Sequence, residues 1–187
     1  MTRCSWVGDD PAMIDYHDRE WGVPQHDDQK LFESLLLEGA QAGLSWRTIL
    51  NKREGYREAF GQFSPTYMAG LVEADVVRLK GNPAIVRHRG KIEAFIANAQ
   101  AHLQLLDAGK TFDQFIWQFV GDEPLINRWQ SLNDVPGQTA ISAAMSKALK
   151  QAGFKFVGPT TCYAFMQSVG LVNDHLLDCP CHPDFHH

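Results

Sequence analysis

Glu38 stands where the pattern around it calls for an apolar side chain. In the stretch LFESLLLEGAQAGLSWRTIL, Leu31, Leu35, Glu38 and Ala42 share one helical face by the i, i+4, i+7, i+11 rule, so a carboxylate interrupts an apolar stripe. Gly43 closes this helix, Ser45 caps the next, and Trp46 emerges at its first turn, one bend away from the acid. An acid and an indole are thereby expected to face each other across a tight bend. The alternative is a solvated Glu38 at a helix edge and a Trp46 that belongs to the core.

A second constellation spans the ends of the chain. Cys4 and His17 lie near one terminus, and His175 and Cys179 lie near the other in an H-x-x-x-C spacing. Thiolates with imidazoles are the ligand set zinc prefers, and four protein ligands close its tetrahedral shell, which makes a structural site. Such a site would tie the two ends together and hold Tyr16, the neighbour of His17, in the wall of a pocket. Cys181 and His182 are rivals for the last position, and Cys162, inside a helix, reads as core. An open shell of His17, His175 and one cysteine, with Glu38 as base, would instead describe a zinc hydrolase.

The segment KALKQAGFKFVGPTTCYAFMQSVG predicts a helix ended by Gly153, a hairpin, and a new helix with Pro159 in its first turn. The free N–H groups of that helix start, with Lys155 in the hairpin and Lys147 and Lys150 upstream, suit a phosphate backbone. Between Asp134 and Asp174 there is no acidic residue, so a local basic surface exists although the net charge of −5 argues against indiscriminate nucleic-acid binding. Phe154, Val157, Gly158, Pro159 and Thr161 resemble the helix-hairpin-helix element of the DNA glycosylase superfamily, with Phe156 in place of the first turn glycine. The resemblance aligns Leu171-Val172-Asn173-Asp174-His175 with the stretch that usually carries the catalytic aspartate and puts Asn173 at that position; one residue of slippage would put Asp174 there.

These residues need helices to position them. Asp10-Pro11 starts a short helix through Trp21; Asp27 or Asp28 caps the helix that runs to Gly43; Ser45 caps one to about Phe60; Ser64-Pro65 opens another. Asn82-Pro83 breaks the chain before a long helix ended by Gly109, and Thr111 caps a further one. Residues 123–137, with Pro124 and Pro136, are weak in pattern and predict an irregular connection. Helices over about 139–153 and 159–169 follow, and no period-2 run occurs, so the expected class is all-α. At 187 residues, 44% hydrophobic, the chain is expected to form a single domain over 1–187, in one body or two helical lobes. No run suits a membrane span, and MTRCSWVGDDP lacks the apolar core of a signal peptide, so a cytoplasmic location with reduced thiols is expected. His186 and His187 receive no role.

Taken together, CSWVGDDPAMIDYHDREWGVP, LFESLLLEGAQAGLSW, VRHRGKI, KFVGPTTCYAFMQ and GLVNDH closely resemble the bacterial DNA-3-methyladenine glycosylase I family over Cys4 to Cys179. The resemblance implies an all-α helix-hairpin-helix DNA glycosylase fold, one structural zinc held by Cys4, His17, His175 and Cys179, and no organic cofactor. It implies a monofunctional enzyme, acting as a monomer on alkylated double-stranded DNA, that excises 3-methyladenine. It assigns the base pocket to Glu38, Tyr16 and Trp46, with Trp6 and Trp21 nearby, and makes the missing aspartate a family trait. Leu44 in the bend is the candidate wedge for the emptied base stack, with burial in the core as its alternative. Lys155, Gly158 and Thr160 are the expected DNA contacts of the hairpin, and Arg87, His88, Arg89 and Lys91 form a basic cluster that suits phosphate or a solvated helix face. A damage-binding module without cleavage would use the same pocket and hairpin.

Overall fold

The computed structural model describes residues 2–185, which leaves His186 and His187 outside it. Its helices are α1 (Pro11–Arg19), α2 (Asp28–Ala40), α3 (Trp46–Ala59), α4 (Pro65–Ala69), α5 (Glu73–Lys80), α6 (Arg89–Asp107), α7 (Phe112–Trp117), α8 (Ala140–Gln151) and α9 (Pro159–Ser168). Short polar side chains start most of them. The Asp10 carboxylate accepts from Ala12 N at 2.9 Å, that of Asp27 from Lys30 N at 2.9 Å, and the Ser45 hydroxyl from Thr48 N at 3.2 Å. Each bond satisfies one of the orphan donors that every helix start exposes.

α2 is the centre of the fold. Leu31, Phe32, Leu35, Leu36 and Leu37 are all buried, so the helix is apolar nearly all round, as a helix enclosed by others must be. α3, α6, α7 and α9 pack around it. The core so formed includes Phe60, Phe63, Phe95, Phe112 and Trp117, and each such ring contributes about 2–3 kcal/mol of burial. A smaller apolar cluster joins Cys4, Val7, Met13, Tyr16, Trp21, Leu50, Leu176 and Cys179, from the two ends of the chain and α1 and α3. Trp46 and Val135 pack against both clusters, so the cavity they line lies where the two meet.

Four local expectations change. α2 ends at Ala40 rather than Gly43, with Gln41 as its C-cap; the tight bend that follows turns Ala42 outwards, off the apolar stripe. α5 is a helix that the sequence reading lacks, because its N-cap is Val72 and the capping comes from Asp75, whose carboxylate reaches back to Val72 N at 3.0 Å. The long helix starts only at Arg89: the Asn82 side chain accepts from Ala84 N at 2.9 Å and holds a turn, and the ring of His88 then serves as N-cap. Two strands also exist, β1 (Leu125–Ile126) and β2 (Val172–Asn173), paired in parallel with Leu125 opposite Val172. Two residues are too few to show alternation.

Gly170, between α9 and β2, has φ +75°, and a Cβ there would meet Pro24 N and the Val23 carbonyl carbon at 2.4 Å. Both obstacles are backbone, so neither yields by rotamer change. Gly170→Ala is expected to cost about 2–4 kcal/mol of stability in urea unfolding; an unchanged midpoint would contradict this packing.

Candidate active site and metal centre

One cavity of about 260 Å³ gathers Trp6, Tyr16, Trp21, Glu38 and Trp46, together with Gln41, Leu132, Val135, Ala164, Gln167, Asp174 and Leu176. α1 supplies Tyr16, α2 supplies Glu38, and the Ser45 cap sets the first turn of α3 so that Trp46 points inwards. The Tyr16 and Trp46 rings lie 5.2 Å apart at 41°, and Trp6 meets Trp21 edge-on at 5.0 Å. The walls are aromatic and apolar, and Glu38 is the acid on them whose carboxyl is not tied up by a set of donors. It is 6% exposed, so it is neither a helix-edge residue nor solvated.

Burial pushes the Glu38 carboxyl up to about 8, opposed by a hydrogen bond with the Ser168 hydroxyl, so near neutral pH the acid carries its proton in the free protein. Tyr16 is pushed well above the usual phenol range, first by burial and then by the charge of Glu38. The Ser168 hydroxyl, which donates to the Phe165 carbonyl at 2.9 Å, lies near both groups. The Trp46 indole N–H is buried and finds no acceptor among the described residues.

Asp174 shows what sequence reasoning missed. Its Oδ1 accepts from Asn127 Nδ2 at 2.7 Å and Trp129 Nε1 at 2.8 Å, and its Oδ2 from Tyr163 Oη at 2.5 Å and Gln167 Nε2 at 2.9 Å. Four donors leave no lone pair for a general base. The carboxylate instead ties residues 127–129 of the irregular segment to α9 and so holds the wall that includes Leu132 and Val135. The Asn173 side chain is occupied too, accepting from His175 N at 3.2 Å. No run of pattern marks this wall, because it is built by side chains from distant, irregular backbone.

The Cys/His set converges. Donor atoms of Cys4, His17, His175 and Cys179, all buried, lie within 4.8 Å of one another. His17 Nε2 and His175 Nδ1 are 3.2 Å apart, and Cys179 Sγ is 3.6 Å from each. The outer ring nitrogens are committed: His17 Nδ1 to Asp18 at 2.7 Å, and His175 Nε2 to the Trp21 carbonyl at 2.9 Å. With a proton on each outer nitrogen, two inner lone pairs face each other beside sulfur, an arrangement that a cation stabilises. The hydrogen bond from the Cys4 thiol holds Cys179 far below the usual thiol range and raises Cys4. These residues could hold a metal. His182 is engaged elsewhere, with the Asn127 carbonyl at 2.8 Å, and Cys181 lies on the far side of His17 beside Asp18. Four donors close the shell without Glu38, so the open-shell hydrolase arrangement is not formed.

The remaining candidates lie on the surface. Leu44 is 40% exposed at the tip of the α2–α3 bend, which removes its core alternative. Lys155 and Thr160 are exposed, and Gly158 is the N-cap of α9 with no side-chain cap for its first N–H groups. Phe156 adopts φ +55°, the left-handed conformation a glycine would take, so the hairpin keeps its tight turn despite the substitution. The basic cluster divides. Arg89 is bound to Glu73 and Glu93, and Lys91 is buried, while Arg87 and His88 are exposed.

Because the folded Glu38 holds its proton up to about pH 8 while an unfolded glutamate releases it near 4.5, its stabilising contribution is complete below pH 4.5 and disappears as pH rises through 8. Glu38→Gln, which has no such proton to lose, is expected to gain on wild type across that window, by on the order of 4 kcal/mol at its upper end. Urea midpoints from pH 5 to about 8.5 measure this, and parallel wild-type and variant curves would contradict it.

Comparison with known proteins matches this arrangement to one family. A sequence model of the family described as methyladenine glycosylase matches residues 6–182. The chain is 55% identical over 180 residues to the DNA-3-methyladenine glycosylase of Haemophilus influenzae, covering 96% of this chain and 97% of that one. It is 54% identical over 183 residues to DNA-3-methyladenine glycosylase 1 of Escherichia coli, covering 98% of each. Its fold superimposes with a TM-score of 0.94 on a crystal structure of a variant 3-methyladenine DNA glycosylase I in complex with 3-methyladenine, 40% identical and covering 98% of both chains. With the matched region spanning the hairpin, most of the cavity and three of the four Cys/His donors, the chain belongs to the methyladenine glycosylase family and is an enzyme of the hydrolytic glycosylase class.

Proposed function

We propose that this enzyme flips 3-methyladenine out of alkylated double-stranded DNA into the aromatic cavity and hydrolyses its N-glycosidic bond, leaving an abasic site. The observation that carries this reading is Glu38, a buried acid in a largely aromatic and apolar cavity, with no cation against it among the described residues. N3-methylation makes the attached adenine cationic. Such a base favours the ionised carboxylate that burial disfavours, whereas neutral adenine brings no charge to offset the desolvation. Glu38 then accepts from the exocyclic amine of the base, Tyr16 supplies a further polar contact, and Trp46 stacks on the ring, with about 0.5–2 kcal/mol of cation–π preference for the charged lesion. Trp6 and Trp21 complete the walls. Guanine would bring a carbonyl to the same acceptor.

The positive charge also weakens the glycosidic bond, so the base leaves without much acid catalysis. That accounts for Asn173 and a fully engaged Asp174 where related enzymes use a free aspartate: binding and geometry supply the barrier reduction. Leu44 fills the gap left in the stack, and Lys155, Gly158 and Thr160 grip phosphate.

Zinc is the metal that the Cys4, His17, His175 and Cys179 set suits. Tetrahedral zinc at usual bond lengths places nitrogens about 3.3 Å apart and nitrogen and sulfur about 3.6 Å apart, against 3.2 and 3.6 Å in the structure. The ion would be structural, clamping the N-terminal segment and α1 to the C-terminal segment and so fixing Tyr16. We read the chain as one glycosylase domain acting as a monomer in the cytoplasm, where its four free thiols stay reduced.

The purified protein is expected to release free 3-methyladenine from alkylated duplex DNA, with Glu38→Gln and Trp46→Ala slower by about 10–100-fold. Binding of alkylated DNA without base release, or undiminished release by Glu38→Gln, would sink the reading. Elemental analysis is expected to find zinc at one equivalent per chain, and Cys4→Ser to lose both the metal and several kcal/mol of stability; full stability without zinc would remove the clamp.

A further inference from the structure

Lys91 is buried and has no acidic partner among the described residues, an expensive way to place a cation. Its ammonium donates to the Ala40 carbonyl at 2.8 Å and the Ala42 carbonyl at 2.6 Å, the C-terminal end of α2 and the start of the bend that carries Leu44. A methionine would fill the space without the desolvation cost. What the lysine adds is direction, because it fixes two carbonyls on either side of the point where the helix gives way to the bend, at the negative end of the helix dipole.

Seven residues further along α6, Asn98 makes the matching contact at the hairpin. Its Nδ2 donates to the Lys155 carbonyl at 3.1 Å and its Oδ1 accepts from Lys155 N at 2.7 Å. Asn98 is buried as well. A seven-residue step is two helical turns, so the two side chains share one face about 10 Å apart. The hairpin also lies directly against α2, since a Cβ on Gly39 would come within 3.2 Å of the Phe156 carbonyl oxygen.

We infer that α6 is the spacer that sets the distance between the Leu44 wedge and the phosphate-gripping hairpin, with Lys91 and Asn98 as its two positioning residues. This rests on the proposed roles of Leu44 and the hairpin. A duplex engaged by the hairpin presents its stack at one distance only, so the wedge enters only if the spacing is held. Neither residue touches the base cavity.

Lys91→Met is expected to slow single-turnover excision from alkylated duplex by about 10-fold or more, as misplacement by an ångström does. It is expected to leave excision from alkylated single strands within about twofold, because there is no stack to part. Binding of free 3-methyladenine, followed by tryptophan fluorescence, stays at the wild-type level. Asn98→Ala slows duplex excision as well. The double variant is no slower than the slower single one, whereas independent sites this far apart would add. Where Lys91→Met does not fold, Lys91→Gln keeps a neutral donor and carries the same comparison. Wild-type duplex rates, equal losses on duplex and single strands, or additive effects would each overturn the spacer. Leu44→Ala separates the two levels: if it is impaired and Lys91→Met is not, the spacer alone falls; if it is unimpaired, the wedge falls and takes the spacer with it.

Discussion

The structure depends on the desolvation of one acid. α2 has to be apolar nearly all round to serve as the centre of the core, and it also has to carry Glu38, itself buried, into a cavity with largely apolar walls. The apolar surroundings that make α2 central are the ones that raise the Glu38 carboxyl to about 8. A neutral acid is the state the free fold tolerates, and a cationic ligand is what makes the ionised state worthwhile. On the proposed reading, selectivity for a cationic base and strain have a common origin. Stability given up at Glu38 is recovered from the remaining faces of α2, where five large apolar side chains are buried.

The same helix had to be stopped abruptly. Five residues after Ala40, Ser45 already caps α3; between them the chain presents Leu44 to solvent, and Trp46 follows at the start of α3, directed back inwards. Gly43 at φ +78° permits the turn, but it does not fix its direction. The buried ammonium of Lys91 does, from outside the local sequence. The far end of the molecule is organised on a similar principle. His17 and His175, 158 residues apart in the chain, are oriented by partners on their outer nitrogens so that the inner ones converge with two sulfurs. In both places convergent polar side chains bring together segments whose own sequences do not determine their relation.

Helices announced by short polar caps were legible, as was the glycine–proline punctuation around the hairpin, because caps and turns are local physics. Glu38 was legible as a misfit in a periodic stripe, and the Cys/His set as a donor inventory. Features built from non-local contacts were not. α5 lacks a capping side chain at Val72; the β1–β2 pair is two residues long; and the cavity wall of residues 127–135 is held by Asp174 through four donors from different parts of the chain. Lys91 was misread for the same reason. Beside Arg87, His88 and Arg89 it looks like one more surface cation, but the helix starting at Arg89 turns its side chain inwards, and nothing in the neighbouring sequence says so.

Phe156 shows how local preference yields to global constraint. A residue with a Cβ in the left-handed region costs about 1–2 kcal/mol relative to glycine, yet Phe156 holds φ +55° in the turn. The packing on either side leaves no other path. Phe154 and Val157 are anchored in the core, Asn98 pins the backbone of Lys155, and Gly39 allows α2 to approach the Phe156 backbone closely. With both flanks fixed, the turn holds the left-handed conformation although a phenylalanine occupies it. The hairpin is thus held by α6 and α2, the same two helices that place the acid and the bend, so the hairpin and the cavity share their supports.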